Sequence, residues 1–113
     1  TNYYPMRVLR TARYKFIWNI AWKLDYPFGR DLWSCASWQA VLRDGSPRFG
    51  ARAVDAYLHR PRFELYDLEA DPDELANLAD DPRQADRVER CCKLLREFQE
   101  RTHDPWLHKW DYE

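Results

Sequence analysis

Two of three Asp-Pro pairs in the second half of this 113-residue chain, Asp71-Pro72 and Asp81-Pro82, lie ten residues apart. Asp71-Pro72-Asp73-Glu74 offers a side-chain acceptor at an N-cap, a proline where no N–H is needed, and a glutamate at N3. Together they spell a capping box, and Asn77 is expected to close the short turn in the left-handed region. Asp81-Pro82-Arg83-Gln84 repeats the device. Behind it Ala85, Val88, Cys91, Cys92, Leu95 and Phe98 recur at helical period. They predict a long helix with one apolar face, ended by Thr102 through Pro105.

The first half carries a different period. Tyr4, Met6 and Val8 alternate with Pro5, Arg7 and Leu9; after Thr11-Ala12-Arg13, Tyr14, Phe16 and Trp18 alternate with Lys15, Ile17 and Asn19. Period 2 on both sides of a short link predicts an antiparallel hairpin, with Pro5 confined to an edge or a strand start. Residues 63–68 read as a third strand, Phe63 and Leu65 sharing a face. Between them, residues 21–50 look irregular, punctuated by Pro27, Gly29, Gly45, Pro47 and Gly50. Asp31 to Arg43 is expected to hold a helix with Trp38, Val41 and Leu42 on one side, and Ala51 to His59 a second, shorter one. The fold class is α+β: a small antiparallel sheet of three to four strands packed by a long C-terminal helix, one unit over residues 1–113.

A hydrophobic content of 45% excludes a disordered chain. No apolar run reaches the ~18 residues of a membrane span. Three cysteines are too few for a disulfide scaffold, and the adjacent Cys91 and Cys92 suit helix packing better than bridging. The chain opens at Thr1 without a targeting signal, from which we expect a segment of something longer. The net charge of -1 hides a sign split. Residues 1–62 hold eleven basic and four acidic side chains; residues 63–113 hold seven and fifteen. Such a split fits two halves that attract each other, a face seated on a partner, or an arginine-rich surface for an anionic ligand.

Catalytic patterns are absent: no HExxH, CxxC, glycine-rich phosphate loop or GxSxG occurs. His103-Asp104 could be an acid/base pair, but a cation capping the preceding helix end is the simpler reading. Cys35 has no neighbouring base and reads as a buried thiol. Trp18, Trp22, Tyr26, Phe28, Trp33 and Trp38 crowd into 21 residues. Their rings could stack on sugars, yet packing against a neighbouring domain is the plainer expectation.

The run Glu64-Leu65-Tyr66-Asp67-Leu68-Glu69-Ala70-Asp71-Pro72-Asp73-Glu74-Leu75-Ala76-Asn77-Leu78 resembles the C-terminal signature of the sulfatase family, E-L-Y-D-L-x-x-D-P-x-E-x-x-N-L, at every fixed position. Arg7 through Ile17 is similar to the hairpin that opens the sulfatase C-terminal subdomain. Tyr3 through Arg7, Tyr26-Pro27-Phe28 and Thr102 through Trp106 resemble the sulfamidase branch of the family. The resemblance implies a parent enzyme that removes N-linked sulfate from glucosamine of heparan-type glycans. It also implies a formylglycine made from Cys or Ser in a C/S-x-P-S-R context, and Ca²⁺ beside it. Both would belong to an N-terminal catalytic domain outside this chain, because Cys35, Cys91 and Cys92 lack that context. No catalytic or metal-binding residue is therefore carried over. The resemblance implies at most a wall of the substrate cleft, with Arg7, Tyr3 and Tyr4 as candidate substrate-binding residues; for Arg7 an ion pair across the domain junction is the simpler role. The implied partners are the catalytic domain and a sulfated glycan, not nucleic acid or membrane, and a homodimer is admitted. The implied compartment is lysosomal in an animal and exported in a bacterium. An O-sulfatase, a phosphate- or phosphonate-ester hydrolase, and a free-standing anionic-glycan module stand as alternatives.

Overall fold

The computed structural model describes residues 3–27, 34–45, 47–49 and 52–112. The alternating runs become strands β1 (Met6–Arg10) and β2 (Tyr14–Asn19), and the third run becomes β5 (Phe63–Asp67). They form an antiparallel sheet ordered β1-β2-β5, with Val8 opposite Ile17 and Phe16 opposite Leu65. A helix, α3 (Ala85–Arg101), lies against one face, entered through a 3-10 turn at Pro82–Gln84. A last 3-10 turn, Leu107–Asp111, folds back beside it.

The core sits between sheet and helix. Phe16, Trp18, Ile20, Leu65, Cys91 and Leu95 are buried there, with Leu9, Phe63, Leu78, Val88 and Trp110 packed around them. Trp18 is fully buried and stacks on Trp110, ring centroids 3.8 Å apart. A pair of this kind contributes about 0.5–1.5 kcal/mol beyond its area. The expected helix face is corrected at its two ends: Ala85 is exposed, Phe98 is 51% exposed and Gln99 is buried. Gln99 faces the core because its amide is satisfied there, Nε2 donating to Asp104 Oδ2 (3.0 Å) and Oε1 accepting from Trp110 Nε1 (2.7 Å).

The connecting region is more ordered than its punctuation suggests. It holds α1 (Ala36–Asp44), a hairpin of β3 (Arg48–Phe49) and β4 (Arg52–Ala53), and α2 (Val54–Leu58). Two-residue strands are too short to show a period. The Cys35 thiol is half-buried and caps α1, accepting the Trp38 N–H, and Gly45 closes that helix at φ 64°. Trp38 is buried as expected, whereas Leu42 is 39% exposed. Asp31 and Ala51, the expected starts of the two helices, lie outside the described residues. Ala53 is extended, so α2 begins only at Val54.

The two Asp-Pro pairs diverge. Asp81 caps the turn into α3, accepting the Arg83 N–H at 2.9 Å. Asp71 instead accepts from Leu75 and Ala76, four and five residues on, and no helix forms. Glu74, the expected capping-box partner, takes φ 55° and pairs with Lys15 at 2.9 Å. Asn77 does not adopt the left-handed backbone. Its side chain acts as a piece of strand: Oδ1 accepts the Leu65 N–H (2.9 Å) and Nδ2 donates to Phe63 O (3.2 Å). The next residue completes the seam, Leu78 N–H donating to Leu65 O at 2.8 Å. The outer edge of β5 is thereby closed.

Candidate functional site

Alternation along β1 puts Arg7 on the helix side of the sheet, beside Leu9. The end of α3 supplies its partner. His103 adopts φ 56°, its N–H donating to Glu100 O and the Asp104 N–H donating to Gln99 O. This is the helix-ending motif that normally uses glycine. It turns the chain back so that Asp104 meets Arg7. Arg7 Nε donates to Asp104 Oδ2 (2.6 Å), Nη2 donates to Oδ1 (2.9 Å), and Nη1 donates to Met6 O (2.9 Å). Asp104 also accepts from Gln99 and from the Trp106 N–H. The Arg7 fork, with these further hydrogen bonds, holds the Asp104 carboxyl well below the usual carboxylate range.

This geometry decides several sequence expectations. Arg7 is in an ion pair, but its partner lies within the same unit, with none of its three nitrogens left without an acceptor. Asp104 is committed to Arg7, Gln99 and Trp106, so it is not poised as an acid or base with His103, whose side chain is exposed. His103 ends the helix through its backbone rather than through a charge. Tyr3 is exposed and edge-on to Trp106 at 5.8 Å, on the Arg7 side.

Tyr4 belongs to a different cluster. Its ring stands edge-on to Tyr26 (5.1 Å), Tyr26 edge-on to Tyr57 (5.6 Å), and the Arg60 guanidinium lies 3.9 Å over Tyr26. The Tyr4 hydroxyl is buried without a hydrogen-bond partner among the described residues, and burial raises its pKa. Beside it is the buried Glu64, which accepts from Asn19 Nδ2 (2.7 Å) and from the Tyr66 hydroxyl. The three candidate residues therefore do not converge on one site. Tyr57, Arg60, Glu64 and Asn19 escaped sequence reasoning because the groups they meet lie on distant segments; only Glu64, inside the signature, carried a signal.

Among the described residues, no three His, Cys, Asp or Glu side chains gather as a metal site. Burial pushes the Cys92 thiol up to about 11 and Cys91 in the same direction, so neither is a ready nucleophile. The charge split resolves inward. Arg7–Asp104, Arg13–Asp67 (2.9 Å) and Lys15–Glu74 each join the basic half to the acidic half. The aromatic expectation is corrected in part: Trp18 and Trp38 are fully buried within the chain itself, the latter beside Tyr57. Phe28 and Trp33 lie outside the described residues.

The signature residues thus serve the scaffold. Asp67 accepts from Arg13 and from the Glu69 and Ala70 N–H groups, Asp71 gathers the next turn, and Asn77 closes the sheet. Human N-sulphoglucosamine sulphohydrolase is 34% identical over 110 residues, 95% of this chain. The chain is similar to that sulphohydrolase along nearly its whole length. It spans 22% of the relative's length. No family model matches it. The sheet-and-helix architecture is the α+β class expected from the sequence.

Proposed function

We propose that the chain is the largely structural C-terminal subdomain of an enzyme that hydrolyses N-linked sulfate from glucosamine residues of heparan-type glycans. The similarity over 95% of the chain to a sulphohydrolase carries this reading. The internal pairing of Arg7, Arg13 and Lys15 supports a bracing role over direct catalysis, since their charges are satisfied inside the fold.

The Ca²⁺ and formylglycine that the resemblance implies do not fit the residues here. Among the described residues no set of metal ligands converges, and no cysteine is followed by x-Pro-Ser-Arg. Both are assigned to a catalytic domain elsewhere in the parent polypeptide, which is also the proposed partner of this unit; the sulfated glycan would bind chiefly there. Among the described residues no helix is long and apolar enough to cross a membrane. The reading puts the parent in a lysosome or, for a bacterial protein, in an exported compartment.

The test is sulfate release by the full-length parent from N-sulfated and from O-sulfated glucosamine, with the 113-residue chain assayed alongside. Release from the N-sulfated substrate by the parent alone is expected. Turnover by the short chain, or a parent active only on O-sulfate or phosphate esters, would overturn the reading.

A further inference from the structure

Glu89, Cys92, Lys93 and Arg96 recur at i, i+3, i+4 and i+7 and so share one stripe of α3. The turn at Leu107–Asp111 brings Trp110 beside that stripe, and these five side chains line a cavity of about 260 Å³. Trp18 takes one face of the Trp110 ring and Gln99 Oε1 takes its N–H, so the ring offers the cavity only carbon surface. Around that carbon wall the charge is mostly positive. Lys93 has no carboxylate within ion-pair distance among the described residues, although Glu89 stands one turn away. Arg96 reaches Asp111 at 3.8 Å, in an exposed pair that contributes little. Arg62, just before β5, lies 5.1 Å from the Phe63 ring centre, its Nε buried without a hydrogen-bond partner among the described residues. Burial raises the Cys92 pKa, and the positive charges of Arg62 and Arg96 both oppose that rise, so both act at the cavity wall.

We propose that this cavity binds one acidic sugar ring of a sulfated glycan chain, its C–H face against Trp110 and its acid group between Lys93 and Arg96. A flat carbon wall takes the apolar side of such a ring, and flanking cations take its anion through charge-assisted hydrogen bonds. The volume lies below the ~300 Å³ at which drug-sized pockets begin, so one ring fits rather than several. Glu89 selects in the same direction. Its carboxylate accepts hydrogen bonds from sugar hydroxyls and repels a compact dianion such as phosphate. The choice of a glycan over another acidic ring rests on the functional reading above; the geometry of the cavity does not.

Calorimetric titration of the full-length parent tests this, with a heparan-type hexasaccharide sulfated on its internal sugars as the probe. Lys93→Ala combined with Arg96→Ala should weaken binding about tenfold. Both side chains are exposed, so the fold should survive; Lys93→Gln alone, a milder change, should cost about threefold. A neutral hexasaccharide should bind at least about tenfold more weakly than the sulfated one. Unchanged affinity in both variants, or equal affinity for the neutral chain, would overturn the proposal. Inorganic sulfate binding as tightly as the hexasaccharide would show a bare anion site and overturn the sugar. Sulfate release from N-sulfated glucosamine, measured on the same preparation, keeps the two readings apart. An inactive parent that binds the probe through Lys93 and Arg96 would sink the functional reading and leave this one standing; an active parent whose affinity ignores both variants would do the reverse.

Discussion

The two edges of the sheet meet the same problem in opposite ways. Both β1 and β5 present a row of outward backbone groups that must find partners or face water. At β5 the chain solves this within fifteen residues: Asn77 and Leu78 return to satisfy Phe63 and Leu65. At β1 no backbone returns among the described residues, and the strand is held from one side of the ladder and by a side-chain clamp, Arg7 to Asp104. The signature invests its asparagine in the edge that must be sealed locally. The other edge is fixed in place but left accessible.

If the clamp is what fixes β1, breaking it should cost most. Asp104→Ala strands Arg7 and removes acceptors from Gln99 and the Trp106 N–H, and should cost about 3 kcal/mol in urea unfolding. Arg7→Ala in the full-length parent should lower the melting temperature while leaving KM for N-sulfated substrate unchanged; intact stability with a raised KM would instead make Arg7 a substrate ligand. Next comes Asn77→Ala, which leaves the buried Leu65 N–H without its partner and should cost about 2 kcal/mol. A cost below that of a surface substitution would show that the β5 edge is not sealed by this side chain.

Acid should probe the clamp without mutation. The folded-state pKa values of Asp104 and Asp67 lie below the unfolded value of 3.8. Their contribution is therefore complete above about pH 4 and is lost as pH falls from there toward the folded values. Urea midpoints should hold between pH 5 and 7, within about 10%, and drop below about pH 4; Asp104→Asn should flatten that drop. The smallest effect is expected at the open edge. In the β1–β2 register Val8→Pro removes only an outward N–H, so the isolated chain should lose less than about 0.5 kcal/mol in urea unfolding. A larger loss would show that this N–H is bonded within the fold.

Much of the architecture was legible along the chain because period is a local property. The alternation in Tyr14–Asn19 and the 3.6-residue recurrence from Val88 to Leu95 follow from which side chains must face one core. Three things were not legible. Gln99 displaces Phe98 from the interior because two distant groups, Asp104 and Trp110, satisfy its amide. The Asp71 segment fails to become helical, with Glu74 pairing to Lys15 on β2. The Tyr4–Tyr26–Tyr57–Arg60 cluster draws on three separate stretches of chain.

What the amino-acid order settled alone was the three main strands, the long helix and the family likeness, since hydrophobic period, caps and motifs act over a few residues. Only the folded arrangement decided which polar groups meet. Arg7 stood as a candidate for substrate or for an ion pair, and only the fold placed Asp104, 97 positions away, within 2.6 Å of it. Likewise Asn77 was a turn residue on paper and became part of a sheet in space. Hydrogen bonds and ion pairs between distant residues are consequences of packing, so their partners are chosen only after the core has formed.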